Sequence, residues 1–279
     1  MNIRIVGAII AVALIAGGFW FLFEPGLRGI TDPIGSGTSD EQPVEGDLAD
    51  GQTPSADQPS APRIDLDAMA AQMDAQLQEQ DLSVFKALKE HYPQRYDRLV
   101  ERLAGMAVGG APAAQIAEIS QVFMSDLRKE NGEALLQADD DDLVEIVTLS
   151  RDLHRQILEN EGRAACNQFA LAGPPGLGER IFDYLRPLDQ QGALLLSAMA
   201  TASGRPAEVT AATAEDWQVV MDRLIANGGD PKHREALAEL APEADICAAL
   251  VALLDTTLSM DGAVAARLRA TYVRDLAIN

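Results

Sequence analysis

Aromatic residues and catalytic sequence motifs are both scarce in this chain. Phe, Trp and Tyr together make up 5% of the 279 residues, which argues against a sugar-stacking groove. There is no H-E-x-x-H, G-x-S-x-G or C-x-x-C, and no His lies at metal-ligand spacing from another His or a Cys. Ser83 and Lys86 match S-x-x-K but lack its partner motifs. The sequence therefore predicts no catalytic residue, no metal site and no cofactor.

A hydrolase is kept as an alternative. Two carboxylates that folding brings together leave no trace in the linear sequence, and the chain has 43 acidic residues.

Basic charge is also scarce. Only 22 Lys and Arg stand against the 43 Asp and Glu, and the formal net charge is -21. An acidic surface repels phosphate backbones, so nucleic acid is excluded as an expected partner.

Cysteine occurs twice, as Cys166 and Cys247. An even pair in an exported chain predicts a disulfide. Closing a loop of about 80 residues would stabilise the fold by roughly 4 kcal/mol on the chain-entropy model. Two buried thiols are the alternative. Without C-x-x-C spacing, redox catalysis is not expected.

One uninterrupted apolar run, residues 5–23, has the length needed to span a bilayer. Its last part carries aromatic residues that suit the membrane–water interface. We interpret residues 1–23 as an uncleaved transmembrane signal anchor; a cleaved signal peptide is the alternative. The interface residues are Phe19, Trp20, Phe21 and Phe23.

Charge around this run predicts its orientation. Arg4 precedes it, whereas residues 24–63 carry eight acidic residues against Arg28 and Arg63. Because positive flanks tend to be cytoplasmic, the sequence predicts a single-pass protein of a bacterial inner membrane, with a cytoplasmic N-terminus and a periplasmic C-terminal domain.

Residues 24–63 are rich in Pro, Gly, Ser and Asp and poor in large apolar residues. Such a composition cannot bury enough surface to fold, so a disordered linker is predicted. Its root-mean-square reach would be roughly 35 Å.

Residues 64–279 show helical periodicity, and strand-like alternation is rare. One helix is predicted to begin with Asp81 as its N-cap, and another to end at Gly109 and Gly110. The fold class is therefore all-α, an acidic domain of roughly nine helices. Short connections indicate an antiparallel multi-helix bundle or an irregular helical array.

Three local segments resemble functional motifs. The run "GPPGLGER", Gly173 to Arg180, lacks the Lys-Ser/Thr pair of a phosphate loop, so a turn between helices is expected. The acidic run Asp139–Asp142 is interpreted as a helix N-terminal cap on the surface, with a bound cation left open. His154 is expected on a polar helix face, because Arg151 and Arg155 lie close to it.

These observations favour a membrane-anchored periplasmic interaction protein: an accessory subunit, assembly factor or envelope scaffold. Its expected partners are the membrane and an unidentified protein of an inner-membrane or periplasmic complex. Met69 and Met73 are the candidate partner-binding residues, although the same spacing suits a core stripe. A periplasmic module that binds or senses a lipid or small ligand is the second hypothesis.

Overall fold

The computed structural model describes residues 65–240 and 244–278. These residues form ten α-helices and two 3-10 segments, and no strand occurs among them, which confirms the all-α prediction. The helices are α1 (Leu66–Glu79), α2 (Ser83–His91), α3 (Pro93–Val108), α4 (Ala113–Asn131), α5 (Asp140–Ala172), α6 (Leu185–Ala202), α7 (Ala214–Ala226), α8 (Lys232–Glu239), α9 (Ile246–Leu258) and α10 (Ala263–Ile278); the 3-10 segments are Gly132–Gln137 and Pro174–Tyr184.

The predicted anchor over residues 1–23 and the predicted linker over 24–63 lie outside the described residues. No helix within the described ranges combines the length and apolar character that crossing a membrane requires.

Helix α5 contacts several other elements of the domain. It packs most extensively against α9 and also contacts α6, α10 and the second 3-10 segment. One large hydrophobic core runs from α1 through α6 and includes residues of α9 and α10. A smaller core joins α7 to α9 and α10 through residues such as Val220, Leu224 and Leu268. Helices α9 and α10 thus contribute to both cores.

Gly162 breaks α5 partway along its length. Its φ of 80° and ψ of 174° lie outside the helical region, and glycine adopts such a positive φ without steric cost. Glu161, beside the break, accepts hydrogen bonds from Arg180 and Tyr184 at 3.1 Å each. The break therefore occurs where the second 3-10 segment is tied to α5.

The prediction that Asp81 caps α2 is wrong. The helix begins at Ser83, and Asp81 has a φ of 56° and pairs with Lys86. The buried carboxylate of Asp189, on α6, instead accepts hydrogen bonds from the backbone N–H groups of Ser83 and Val84, at 2.7 and 2.9 Å. A distant residue thus takes the role that local sequence assigned to Asp81.

The stretch before α6 differs from a regular α-helix. Residues Pro174–Tyr184 are 3-10 in form, and α6 runs without interruption from Leu185. Pro187 lies in its first turn, where the missing N–H would have no helical partner.

Candidate functional site

A pocket of about 190 Å³ opens where α5, α6, α9 and α10 meet. Its walls are mainly apolar, and its polar groups come from three different helices. The apolar lining residues are Phe169, Ala170, Pro174, Leu250 and Leu276, and the polar ones are Ser150, His154, Gln191, Tyr272 and Asp275.

His154 is the most informative residue of the pocket, and the prediction that it lies on a polar helix face is wrong. It is only 6% exposed and packs against the ring of Phe169, at 4.9 Å between centroids. Burial lowers its pKa to about 4, so the imidazole is neutral near pH 7. The neighbouring arginines that suggested exposure point instead to acids of other segments: Arg151 and Arg155 both pair with Asp255.

One ring nitrogen of His154 has a partner. Nδ1 lies 2.7 Å from the backbone carbonyl oxygen of Ser150. A carbonyl oxygen only accepts hydrogen bonds, so Nδ1 carries the hydrogen and Nε2 is left with a lone pair.

Ser150 and Tyr272 form the second polar element of the pocket. Their hydroxyls are hydrogen bonded to each other. Burial raises the pKa of Tyr272 to about 12, so its hydroxyl stays protonated. The hydroxyl of Ser150 is thus engaged by Tyr272, and His154 contacts only its carbonyl; these two residues do not form a nucleophile–base pair.

Gln191 provides the third polar element. It is 2% exposed, and its amide has no hydrogen-bond partner among the described residues. Buried polar groups are normally paired, and each exception calls for an explanation such as a bound molecule.

The predicted disulfide between Cys166 and Cys247 is present behind the pocket and joins α5 to α9, with 5.6 Å between the two Cα atoms. The carbonyl oxygen of His154 lies 3.2 Å from Sγ of Cys166. Asn167 supports the same junction: its side chain accepts from the N–H of Cys247 and donates to the carbonyl of Ala244. His154 is therefore held on a covalently fixed wall.

The segment Gly173–Arg180 shapes the pocket mouth through Gly173 and Pro174. It is a 3-10 segment rather than a plain turn, and Gly173 enters it with a φ of 65°. A Cβ on Gly176 would collide with the backbone of Gln168, so the segment lies directly against α5.

The acidic run Asp139–Asp142 does not cap α5 through its first side chain. Asp139 occupies the N-cap position without a side-chain cap hydrogen bond, and pairs with Arg205. Asp140 forms a two-point contact with buried Arg269, at 2.8 and 2.7 Å. No cluster of three or more metal-ligating side chains occurs in the described part of the chain.

The predicted partner-binding residues occupy different environments. Met73 is 2% exposed and belongs to the large core, whereas Met69 is half-buried. Met73 thus takes the core position that the sequence left open as an alternative, and partner binding through this helix face stays a prediction. The interface residues Phe19, Trp20, Phe21 and Phe23 lie outside the described residues.

A second concave surface, of about 520 Å³, lies between α3 and α4. Its α3 side carries Arg95, Arg98, Glu101 and Arg102, and its α4 side carries Phe123, Asp126 and Glu130. Arg95 pairs with Glu130, whereas no described residue forms an ion pair with Arg98 or Arg102. We call this surface the arginine groove.

The chain matches no protein-family model, no curated protein and no solved structure. Its site is therefore interpreted from its own geometry.

Sequence patterns did not identify this pocket. Ser150 and His154 are four residues apart and so share a helix face. This spacing is the one local pattern that indicates two pocket residues lie together. Gln191 and Tyr272 come from other helices, and nothing in their neighbourhoods marks them as partners of His154.

Proposed function

We propose that this protein is a membrane-anchored, extracytoplasmic binding module. Its helical domain holds one small, mostly apolar group in the pocket between α5, α6, α9 and α10. The observation that supports the proposal most directly is an apolar pocket lined by buried polar side chains, two of which, His154 and Gln191, have hydrogen-bonding capacity left over. Binding sites typically combine an apolar lining with a few such polar groups.

The size of the pocket limits the occupant. Pockets for drug-sized ligands measure roughly 300–1,000 Å³, and an engineered apolar cavity of about 150 Å³ binds benzene. At about 190 Å³, this pocket suits a small molecule of one or two fused rings rather than a lipid chain with its headgroup.

The disulfide supports the proposed location. Structural disulfides persist in oxidising compartments such as the periplasm and are rare in the cytosol. Together with the predicted anchor and linker, the Cys166–Cys247 bond favours a domain outside the cytoplasm.

The test is ligand binding by the full-length protein in lipid nanodiscs. Toluene, phenol and indole are titrated and followed by ligand-observed NMR. Ala170→Leu places three extra carbon atoms in the pocket wall and should abolish binding. Ala200→Leu, on α6 at a half-buried position away from the pocket, should leave it intact. Failure of the unmodified protein to bind any of these rings, or equal effects of the two variants, would contradict the proposal.

Protein–protein contact through the arginine groove is the second candidate function. Arg and aromatic side chains are enriched at the centres of interfaces. Although the domain is strongly acidic, Arg98 and Arg102 have no ion-pair partner among the described residues. This supports a role as an accessory subunit, assembly factor or scaffold.

Purification from native membranes in mild detergent, with mass spectrometry, tests the second candidate. A stoichiometric partner should be lost with the pair Arg98→Glu and Arg102→Glu. The pair Arg163→Glu and Arg223→Glu makes the same change in net charge at exposed sites outside the groove and should retain it. Retention by both pairs would exclude the groove as the interface.

A further inference from the structure

The acceptor at the bottom of the pocket is Nε2 of His154. Nδ1 donates to the carbonyl of Ser150 at 2.7 Å, which assigns the lone pair to Nε2. Nε2 has no hydrogen-bond partner among the described residues, yet it retains accessible surface. Because His154 is 6% exposed and lines the pocket, that surface faces the pocket.

This nitrogen acts as an acceptor at neutral pH. Burial holds the pKa of His154 at about 4, and the nearby hydroxyls of Ser150 and Tyr272 are hydrogen bonded to each other. Among the described residues that line the pocket, Asp275 is the only carboxylate; its side chain is 43% exposed to solvent, and its Oδ1 accepts hydrogen bonds from the guanidinium of Arg274. An occupant therefore meets a neutral imidazole with a free lone pair.

Gln191 adds a second polar group to the lining, from α6. Its amide is buried, unpartnered among the described residues and accessible from the pocket. An amide both donates and accepts, so Gln191 tolerates either kind of group, whereas Nε2 of His154 accepts only a donor. The selectivity of the pocket thus lies with His154.

The rest of the described lining is mainly apolar, with the rings of Phe169 and Pro174 and the aliphatic side chains of Leu250 and Leu276. An aromatic side chain such as Phe169 packs favourably against another aromatic ring. From this geometry we infer that the pocket selects a small aromatic molecule of one or two fused rings carrying one N–H or O–H group, as in phenol or indole, which donates that hydrogen to Nε2 of His154. The inference rests on the proposed function and specifies its ligand class.

Paired ligands test the inference without any mutation. The full-length protein in nanodiscs is titrated by calorimetry with indole and N-methylindole, and with phenol and anisole. Each pair shares a ring, and only one member carries the donor. We expect the donor-bearing member to bind about tenfold more tightly, because its methylated counterpart leaves Nε2 unpaired.

The variant His154→Phe removes the acceptor and keeps a ring of similar size. The ratio of indole to N-methylindole affinity should fall to about one in this variant. Because the ratio is taken within one protein, a general loss of affinity cancels. Gln191→Leu is the matched control, and in it the ratio should stay near its original value.

The outcomes separate the two proposals. Equal affinities within each pair in the unmodified protein, with binding still blocked by Ala170→Leu, would overturn the inference and leave the proposed function standing. An unchanged ratio of indole to N-methylindole affinity in His154→Phe would also overturn the inference. Absence of binding by every ring, toluene included, would overturn both.

An indole ring could bind as a free molecule or as the Trp side chain of another protein. Titration with N-acetyltryptophanamide distinguishes these sources. Affinity equal to or above that of indole assigns the pocket to a side chain, and exclusion of the bulkier compound assigns it to a free small molecule.

Discussion

At the scale of single residues, the interior of the domain contains polar groups whose partners come from distant parts of the chain. Arg269 is 3% exposed and donates to Asp140 and to the backbone carbonyls of Thr257 and Met260. His154 differs, because burial keeps it neutral and one of its nitrogens is unpaired among the described residues. Arg269 is therefore a structural residue, whereas His154 combines a buried position with unused chemistry.

The lowered pKa of His154 predicts a pH dependence of stability. Its pKa is about 4 in the folded chain, against 6.5 for a fully hydrated histidine. Between these values the unfolded chain binds one more proton, so stability falls as pH falls from about 6.5 to about 4 and changes no further below that. The full effect is about 3 kcal/mol.

Urea unfolding of the full-length protein at pH 7 and pH 5 measures this effect. The comparison with His154→Phe isolates it from the carboxylates, which titrate in both proteins. The unmodified protein should lose more stability on acidification than the variant. Equal losses would show that His154 does not titrate as proposed.

At the scale of secondary structure elements, helices are fixed at their ends by groups from other elements. Asp189 on α6 caps the first N–H groups of α2, and Asn167 on α5 binds the N–H of Cys247 in the first turn of α9. Two helices are capped locally instead: Asp65 accepts from the N–H groups of Asp67 and Ala68 at the start of α1, and Thr213 and Asp216 form a capping box at the start of α7. There the guanidinium of Arg267 holds the pKa of Asp216 at about 2.

Loss of the distant cap should destabilise the domain. Asp189→Ala leaves two backbone N–H groups of α2 without their acceptor, at a cost of about 2 kcal/mol in the free energy of unfolding. Asp189→Asn should recover part of that loss, because an Asn side-chain oxygen also accepts. Asp81→Asn, at the exposed position that local sequence favours, removes the charge that pairs with Lys86 and keeps a residue type that tolerates the φ of 56°, so it should change stability less than Asp189→Ala does. Chemical denaturation of the three variants checks this order, and a larger effect at Asp81 would reverse the assignment.

At the scale of the whole molecule, α9 and α10 contribute residues to both cores, and α5 carries four of the residues that line the pocket, Ser150, His154, Phe169 and Ala170. The disulfide ties it to α9, and the contacts of Arg269 tie its first turn to the end of α9 and to α10. These two attachments hold the walls of the pocket at a fixed separation. The pocket is therefore a property of the assembled domain and of no single helix.

Removal of the disulfide tests this description. The pair Cys166→Ala and Cys247→Ala should lower the free energy of unfolding by up to about 4 kcal/mol, since the bond closes a long loop. A reductant should lower the stability of the unmodified protein by a similar amount and leave the variant unchanged. Insensitivity of the unmodified protein to reductant would show that the bond contributes little.

Local features were accessible from the sequence because they depend on neighbouring residues. Helical periodicity predicted the all-α class, Gly109 and Gly110 marked the end of α3, and the two cysteines allowed only one intramolecular pairing. The anchor at residues 1–23 and the linker at 24–63 stay predictions of the same kind.

Only the tertiary structure decided the features that join distant residues. The arginines next to His154 in the sequence predict a polar helix face, yet His154 is buried in the folded domain. Local sequence predicts Asp81 as the N-cap of α2, yet the capping carboxylate is that of Asp189, 106 residues away from Ser83. Helical sequence patterns report on residues three or four positions apart. Packing instead selects partners by their positions in space, so the pocket and its free nitrogen emerge only when the helices meet.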